Sequence, residues 1–232
     1  MEMRGKMIRN LVKFAKSVFS KKESVFNQKS AFSTYKEQTG NGRLATAFNK
    51  GNNGEYLSYK EIASLPGYHK VLFNLYLPKN EKTTEIDLVY IHETGIYVIE
   101  SKNYSGWIFG DENNRNWTQT MPNGKKYPFY NPIWQNNGHV RALQALLPSV
   151  SKAHYQSIIV FSERCTLKKV SYDATKNIVL NRYDLRKRLS KQINNSLNVL
   201  EPSQIDKIYN FLAQYSKVDQ SIKERHIENM KV

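Results

Sequence analysis

Two neighbouring stretches decide the reading of this chain: Glu85-Ile86-Asp87-Leu88-Val89-Tyr90-Ile91 and Gly95-Ile96-Tyr97-Val98-Ile99-Glu100-Ser101-Lys102. Both are rich in β-branched and aromatic residues, and the segment between them has room only for a turn, so they predict an antiparallel hairpin. A loop centred on Glu93-Thr94 sets Ile91 against Ile96, Val89 against Val98 and Asp87 against Glu100. Side chains alternate along a strand, so these three pairs share one face, and the two carboxylates stand with their Cβ atoms about 5 Å apart. Lys102, two residues beyond Glu100, faces the same way. Like charges directly opposed destabilise a sheet unless a proton or a cation offsets them, and all-oxygen ligation suits a hard ion such as Mg²⁺ or Mn²⁺. Spacing alone leaves a plainer alternative open. The same register sets Glu85 opposite Lys102, an ordinary cross-strand ion pair.

Outward from the hairpin, the pattern predicts one α/β domain with a mixed sheet flanked by helices. Gly51-Asn52-Asn53-Gly54 reads as a break before a short helix over residues 55–65, which Pro66-Gly67 stops. If that helix crosses the sheet, Glu55 at its start adds a third carboxylate. A first strand is expected over residues 71–77. Residues 103–130, with Trp107, Trp117 and several glycines, read as an irregular excursion. A helix over 132–147, a buried strand over 157–161 and a shorter strand over 177–180 follow. Two more helices are expected over 183–193 and 202–215, and the last fifteen residues read as a frayed tail.

The chain has 232 residues and a net charge of +15. That length buries one sizeable core plus extensions. The charge is unevenly placed. Residues 1–50 carry 11 Lys/Arg against 3 Asp/Glu, residues 51–150 carry 9 against 9, and residues 151–232 carry 15 against 8. A neutral middle between basic flanks suits a polyanionic partner such as nucleic acid, although a solvated basic surface reads the same way. Ile8, Leu11, Val12, Ala15, Val18 and Phe19 recur at helical spacing among Arg4, Lys6, Arg9, Lys13 and Lys16, a basic amphipathic helix. Such a helix can dock on the domain, contact phosphates or lie on an anionic membrane surface through residues 1–19. Residues 20–42 read as a polar linker. Apolar runs fall short of the roughly 20 residues that span a bilayer. The lone Cys165 excludes an internal disulfide and a multi-cysteine zinc site, and fits a cytoplasmic location.

Four motifs, in this order, carry a family resemblance: Gly54-Glu55; Thr84-Glu85-Ile86-Asp87; the run from Gly95 through Lys102 to Asn103-Tyr104-Ser105-Gly106; and Asn131-Pro132-Ile133-Trp134-Gln135-Asn136. Over about residues 45–165 the chain resembles the nuclease-related domain, NERD, of the PD-(D/E)XK nuclease superfamily. The resemblance implies a restriction-endonuclease-like core of helix, three strands, helix and strand, with a divalent metal, Mg²⁺ or Mn²⁺, at its centre. It implies Asp87 and Glu100 as metal ligands, Glu55 as an accessory ligand and Lys102 as the cation that orients a water. Gln135 on the second helix is implied at the edge of the site, with a buried structural amide as its alternative. Domain bounds follow as 1–42 (basic helix and linker), 43–182 (nuclease-like domain) and 183–232 (basic helical extension).

The expected function is metal-dependent hydrolysis of nucleic-acid phosphodiester bonds, DNA favoured. A non-catalytic nucleic-acid-binding module and a peripheral membrane protein are the competing readings. Tyr104, Trp107, Tyr127, Phe129, Tyr130 and Trp134 surround the site in sequence and either stack on bases or pack internally. Lys168, Lys169, Arg186, Lys187, Arg188 and Lys191 either meet phosphates or face solvent. The five histidines, His69, His92, His139, His154 and His226, lack metal-ligand spacing and read as structural or solvated.

Overall fold

A computed structural model describes residues 30–79 and 82–216. The basic helix expected over 1–19 and the last fifteen residues lie outside them. The hairpin forms as expected: β2 (Lys82–His92) pairs antiparallel with β3 (Gly95–Lys102) in the register Leu88 to Ile99, Val89 to Val98 and Ile91 to Ile96. On its other edge β2 pairs antiparallel with β1 (His69–Lys79). β3 also pairs parallel with β7 (Tyr155–Phe161), and β7 with β9 (Asn177–Asn181), which completes a mixed five-stranded sheet in the order β1-β2-β3-β7-β9.

Alternation along the strands divides the core. Leu88, Tyr90, Tyr97, Ile99, Ile158 and Val160 face one side. They pack there against α1 (Ala31–Thr39), α3 (Lys50–Ile62) and α5 (Arg182–Asn195), through residues such as Tyr35, Ile62 and Leu189. Val89, Ile91, Ile96 and Val98 face the other side, against α4 (Pro132–Leu146) and α6 (Pro202–Leu212), through Leu143, Ile205 and Leu212. The central strands thus bury both faces, and the removal of this apolar area from water is the main force holding the layers together.

Several boundaries differ from the sequence reading. Residues 31–39 form the helix α1 rather than a linker: Ser30 Oγ accepts from the Ser33 N–H, Gly40 ends the helix at φ 75°, and Tyr35 is fully buried. A short helix, α2 (Arg43–Phe48), follows. Gly51-Asn52-Asn53-Gly54 does not break the chain but lies inside α3, because the Asn49 side chain caps that helix by accepting from the Gly51 and Asn52 N–H groups. α5 and α6, expected as an extension, close opposite faces of the sheet.

The excursion over 103–130 is a second sheet. β4 (Gly106–Asp111), β5 (Asn116–Thr120) and β6 (Lys126–Tyr130) form an antiparallel meander, and β8 (Cys165–Ser171) adds parallel to β4, in the order β6-β5-β4-β8. Its inner face, with Ile108, Trp117 and Phe129, packs on Ile159, Phe161 and Val179 of the first sheet. Ile159 and Phe161 are the register partners of Glu100 and Lys102, so the second sheet lies over the face that carries those two residues. Cys165 is buried there, and burial pushes its thiol up to about 11.

Candidate nuclease centre

β2 and β3 bring the acids together where their ladder ends. The last backbone pair is Leu88 with Ile99. One residue on, the Asp87 side chain takes over, its Oδ2 accepting from the Ser101 N–H at 2.7 Å. Glu100 is buried, with Oε1 accepting from Lys102 Nζ at 2.7 Å. The ammonium also donates to Gln135 Oε1 on α4 at 2.8 Å. Gln135 therefore grips the lysine. The buried structural amide is its neighbour Asn136, whose Nδ2 donates to Val98 O, Ser157 Oγ and Ile158 O.

α3 delivers the third acid from across the sheet. Ser58 Oγ donates to Gly54 O and accepts from Ser101 Oγ at 3.0 Å, which ties the helix to the strand end. Burial first, then the charge of Glu85, opposed by the Asn74 amide, and then the charge of Glu100 push the Glu55 carboxyl up to about 8. Burial, then the charges of Glu100 and Glu55, raise Asp87 well above the usual carboxylate range against the pull of Lys102 and the Ser101 N–H. Burial also works to raise Glu100, but the Lys102 ammonium and the His139 ring outweigh it and hold that carboxyl down to about 2. Lys102 is likewise desolvated, yet Glu100 and Asp87 keep it protonated by raising its pKa. Glu100 is thus ionised against the Lys102 ammonium, while burial and like charge push Asp87 and Glu55 toward the protonated form.

Two residues here escape sequence reading. His139, one turn beyond Gln135 on α4, is buried with Nδ1 3.4 Å from Glu100 Oε2, close enough for an ion pair but outside hydrogen-bond geometry. The i, i+4 spacing from Gln135 was the available signal. Asn74 sits in β1 with φ 50°, in the left-handed region, where the β1–β2 register skips from Phe73–Leu88 to Leu75–Ile86. It therefore lies opposite Asp87. Its Oδ1 is buried without a hydrogen-bond partner.

The donor set fits a hard cation. Glu55 Oε2 is a buried oxygen without a hydrogen-bond partner, and Glu100 Oε2 has only the His139 ring at 3.4 Å, outside hydrogen-bond geometry; a buried carboxylate oxygen is costly unless something positive reaches it. Among the described residues no three His, Cys, Asp or Glu side chains stand close enough to form a ready-made metal cluster. Of the aromatics near the site in sequence, Phe129 packs inward with Tyr104 at 4.6 Å between ring centroids, whereas Trp107, Tyr127, Tyr130 and Trp134 are exposed.

Residues 50–162 match the family model of the nuclease-related domain. The chain belongs to that family. NERD proteins fall in the restriction-endonuclease-like, PD-(D/E)XK superfamily, and the mixed sheet with helices on both faces agrees with it. An uncharacterised protein of Bacillus anthracis is 33% identical over 185 residues, 77% of this chain and 82% of the relative. Among solved structures, Can2 from Sulfobacillus thermosulfidooxidans in complex with cyclic tetra-adenylate aligns at 19% identity and a TM-score of 0.34, over 66% of this chain. The aligned part of this NERD chain spans 40% of the Can2 chain.

Proposed function

We propose that this NERD protein hydrolyses phosphodiester bonds of nucleic acid, with DNA the preferred substrate by analogy within the superfamily. The observation that carries the reading is the junction of Asp87, Glu100 and Lys102 at the end of the β2–β3 ladder, two carboxylates beside a protonated lysine. Asp87 and Glu100, joined by Glu55, are the residues that would hold a divalent ion, Mg²⁺ or Mn²⁺. When bound, such an ion supplies Lewis-acid activation of water and charge neutralisation at the phosphate.

The chain's own groups do the positioning. Lys102 offers N–H donors at a fixed point, held from two sides by Glu100 and Gln135, so it can orient a water and stabilise charge that builds on a phosphate oxygen. Hydrolysis joins the water oxygen to phosphorus, breaks one P–O ester bond and leaves the proton to the departing alkoxide. His139 holds the second Glu100 oxygen from behind.

Cleavage of plasmid and linear DNA tests the proposal. Wild-type protein with Mg²⁺ cuts. The same protein in EDTA does not, nor do Glu100→Ala and Lys102→Ala, each checked for a native fold by circular dichroism. Equal activity in all four samples refutes it, and salt-sensitive DNA binding without cleavage in any of them favours a non-catalytic binding module.

A further inference from the structure

The parallel strands β3, β7 and β9 end side by side. In open α/β sheets the crevice beyond such carboxyl ends is where ligands bind. Glu100 and Lys102 use one side of the β3 end, toward α4. On the other side, toward α3 and α5, lies a cavity of about 290 Å³ lined by Asn53, Asn103, Ser162, Glu163, Arg164 and Arg182, among others. Asn103 directly follows Lys102, and the Ser162 N–H donates to Lys102 O at 2.9 Å, so cavity and nuclease centre share one strand end.

The cavity is built for an anion. Arg182 is only 3% exposed, its Nη1 donates to Glu163 Oε2 at 3.1 Å, and its Nε has no hydrogen-bond partner. A buried guanidinium matched by a carboxylate at one end only is costly, and it adds positive potential to the cavity wall. Arg164 is exposed at the cavity and its Nη2 donates to Asn103 O and Oδ1, which directs the guanidinium toward the strand end. Arg182 is also the first residue of the fourteen-residue α5, whose N-cap Asn181 makes no capping bond; its Nδ2 donates to Ser162 O and Cys165 O. The helix terminus therefore adds N–H groups and partial positive charge at the same place. Two arginines against Glu163 leave the lining itself net positive, while Glu61 of α3 acts on Arg182 from outside the lining and Asp184 in the first turn of α5 is exposed to solvent.

We propose that this cavity is a phosphate subsite, in which Arg164, Arg182 and the N-terminus of α5 hold a phosphate of the same nucleic-acid strand that is cleaved at Lys102. The inference rests on the nuclease reading above and deepens it: one strand would straddle the end of β3, with one phosphate on each side. Guanidinium is the suited group, because its planar fork meets phosphate oxygens in pairs.

Fluorescence anisotropy in EDTA measures binding without cleavage, so the subsite can fail while the nuclease stands, and the reverse. The probe is a labelled DNA oligonucleotide with a 5′-phosphate or a 5′-hydroxyl, bound to the full chain as wild type, Arg164→Gln, Arg182→Lys or Lys152→Gln. Arg164→Gln is expected to weaken binding about tenfold or more and to lower the salt dependence by about one phosphate contact. Arg182→Lys, whose fold is checked by circular dichroism, weakens it less. Lys152→Gln removes the same charge from the exposed turn that precedes β7, at the opposite end of the sheet, and changes binding little. A 5′-phosphate preference that Arg164→Gln abolishes marks a chain-end phosphate, and equal, Arg164-dependent binding of both oligonucleotides marks an internal one. Equal losses for Arg164→Gln and Lys152→Gln, or no loss for Arg164→Gln, overturn the proposal.

Discussion

Lys102 Nζ and Gln135 Oε1 meet at 2.8 Å across 33 positions of sequence, linking the end of the third strand to the helix that covers it. The same ammonium holds Glu100, so Gln135 fixes the lysine's direction rather than its charge. Gln135→Ala is expected to slow single-turnover DNA cleavage by roughly a hundredfold, the scale of a misplaced catalytic group, while binding in EDTA changes little. Lys102→Arg would not restore a lysine's function, because a planar fork does not fit a site shaped around a point charge. An unchanged cleavage rate in Gln135→Ala would remove Gln135 from the centre.

Glu55 makes stability depend on pH in a direction opposite to that of most paired acids. Its folded pKa is raised to about 8, above the ordinary glutamate value of 4.5, so the folded chain binds the proton more tightly than the unfolded chain. The contribution is complete below the unfolded value and is lost as pH rises toward 8. Asp87, also raised, acts in the same sense. Glu100, held down to about 2, loses its contribution only in strong acid. In EDTA, Tm should therefore fall between about pH 5 and about pH 8, and Glu55→Gln should flatten that slope. A wild-type Tm that rises over the same interval contradicts the assignment.

Asn74 holds a left-handed backbone in the middle of a strand. Asparagine tolerates that conformation and a β-branched residue does not. Asn74→Val should cost about 1–3 kcal/mol in urea unfolding, whereas Asn74→Gly should preserve stability. If Asn74→Gly nevertheless slows cleavage, the amide itself serves the neighbouring acids. Equal stability of the Val and Gly variants would show that the backbone at this position is relaxed.

Gly110 gives the second sheet its packing. A Cβ there would stand 2.1 Å from Trp117 Cδ2, inside the ring's own volume. Gly110→Ala should destabilise the protein by about 1–3 kcal/mol and weaken its near-ultraviolet circular dichroism as Trp117 is displaced. A spectrum and midpoint identical to wild type would place that ring elsewhere.

The hairpin was legible because its apolar period of two admits one register, and a slip by one residue would have turned Val89 and Val98 to the wrong core. Asp87, Glu100 and Lys102 follow from that register with no tertiary information. Gln135 came from motif order, and its partner from the fold. α3 was misplaced at its start because two glycines and two asparagines read as breakers, while a single cap from Asn49 and packing on the sheet outweigh their propensity. The second sheet was hidden for a different reason. Its strands are short and expose alternate aromatics such as Trp107 and Phe109, so composition resembles a loop until β8 pairs with β4 from 59 positions away (Gly106 with Cys165). His139 reads as structural or solvated for want of metal-ligand spacing, and it is buried, but the acid it meets, Glu100, is visible only in the fold.

The bond between Lys102 and Glu100 also bears on how such a centre could decay. Each side chain neutralises the other where water scarcely reaches, so losing either alone strands a charge and threatens the fold. If the proposed cleavage is the chain's activity, a descendant that abandons it is then expected to discard both together, or to trade them for two apolar residues. Single survivors of the pair should be rare among intact chains, which makes the pair's joint presence a criterion for telling working relatives from retired ones.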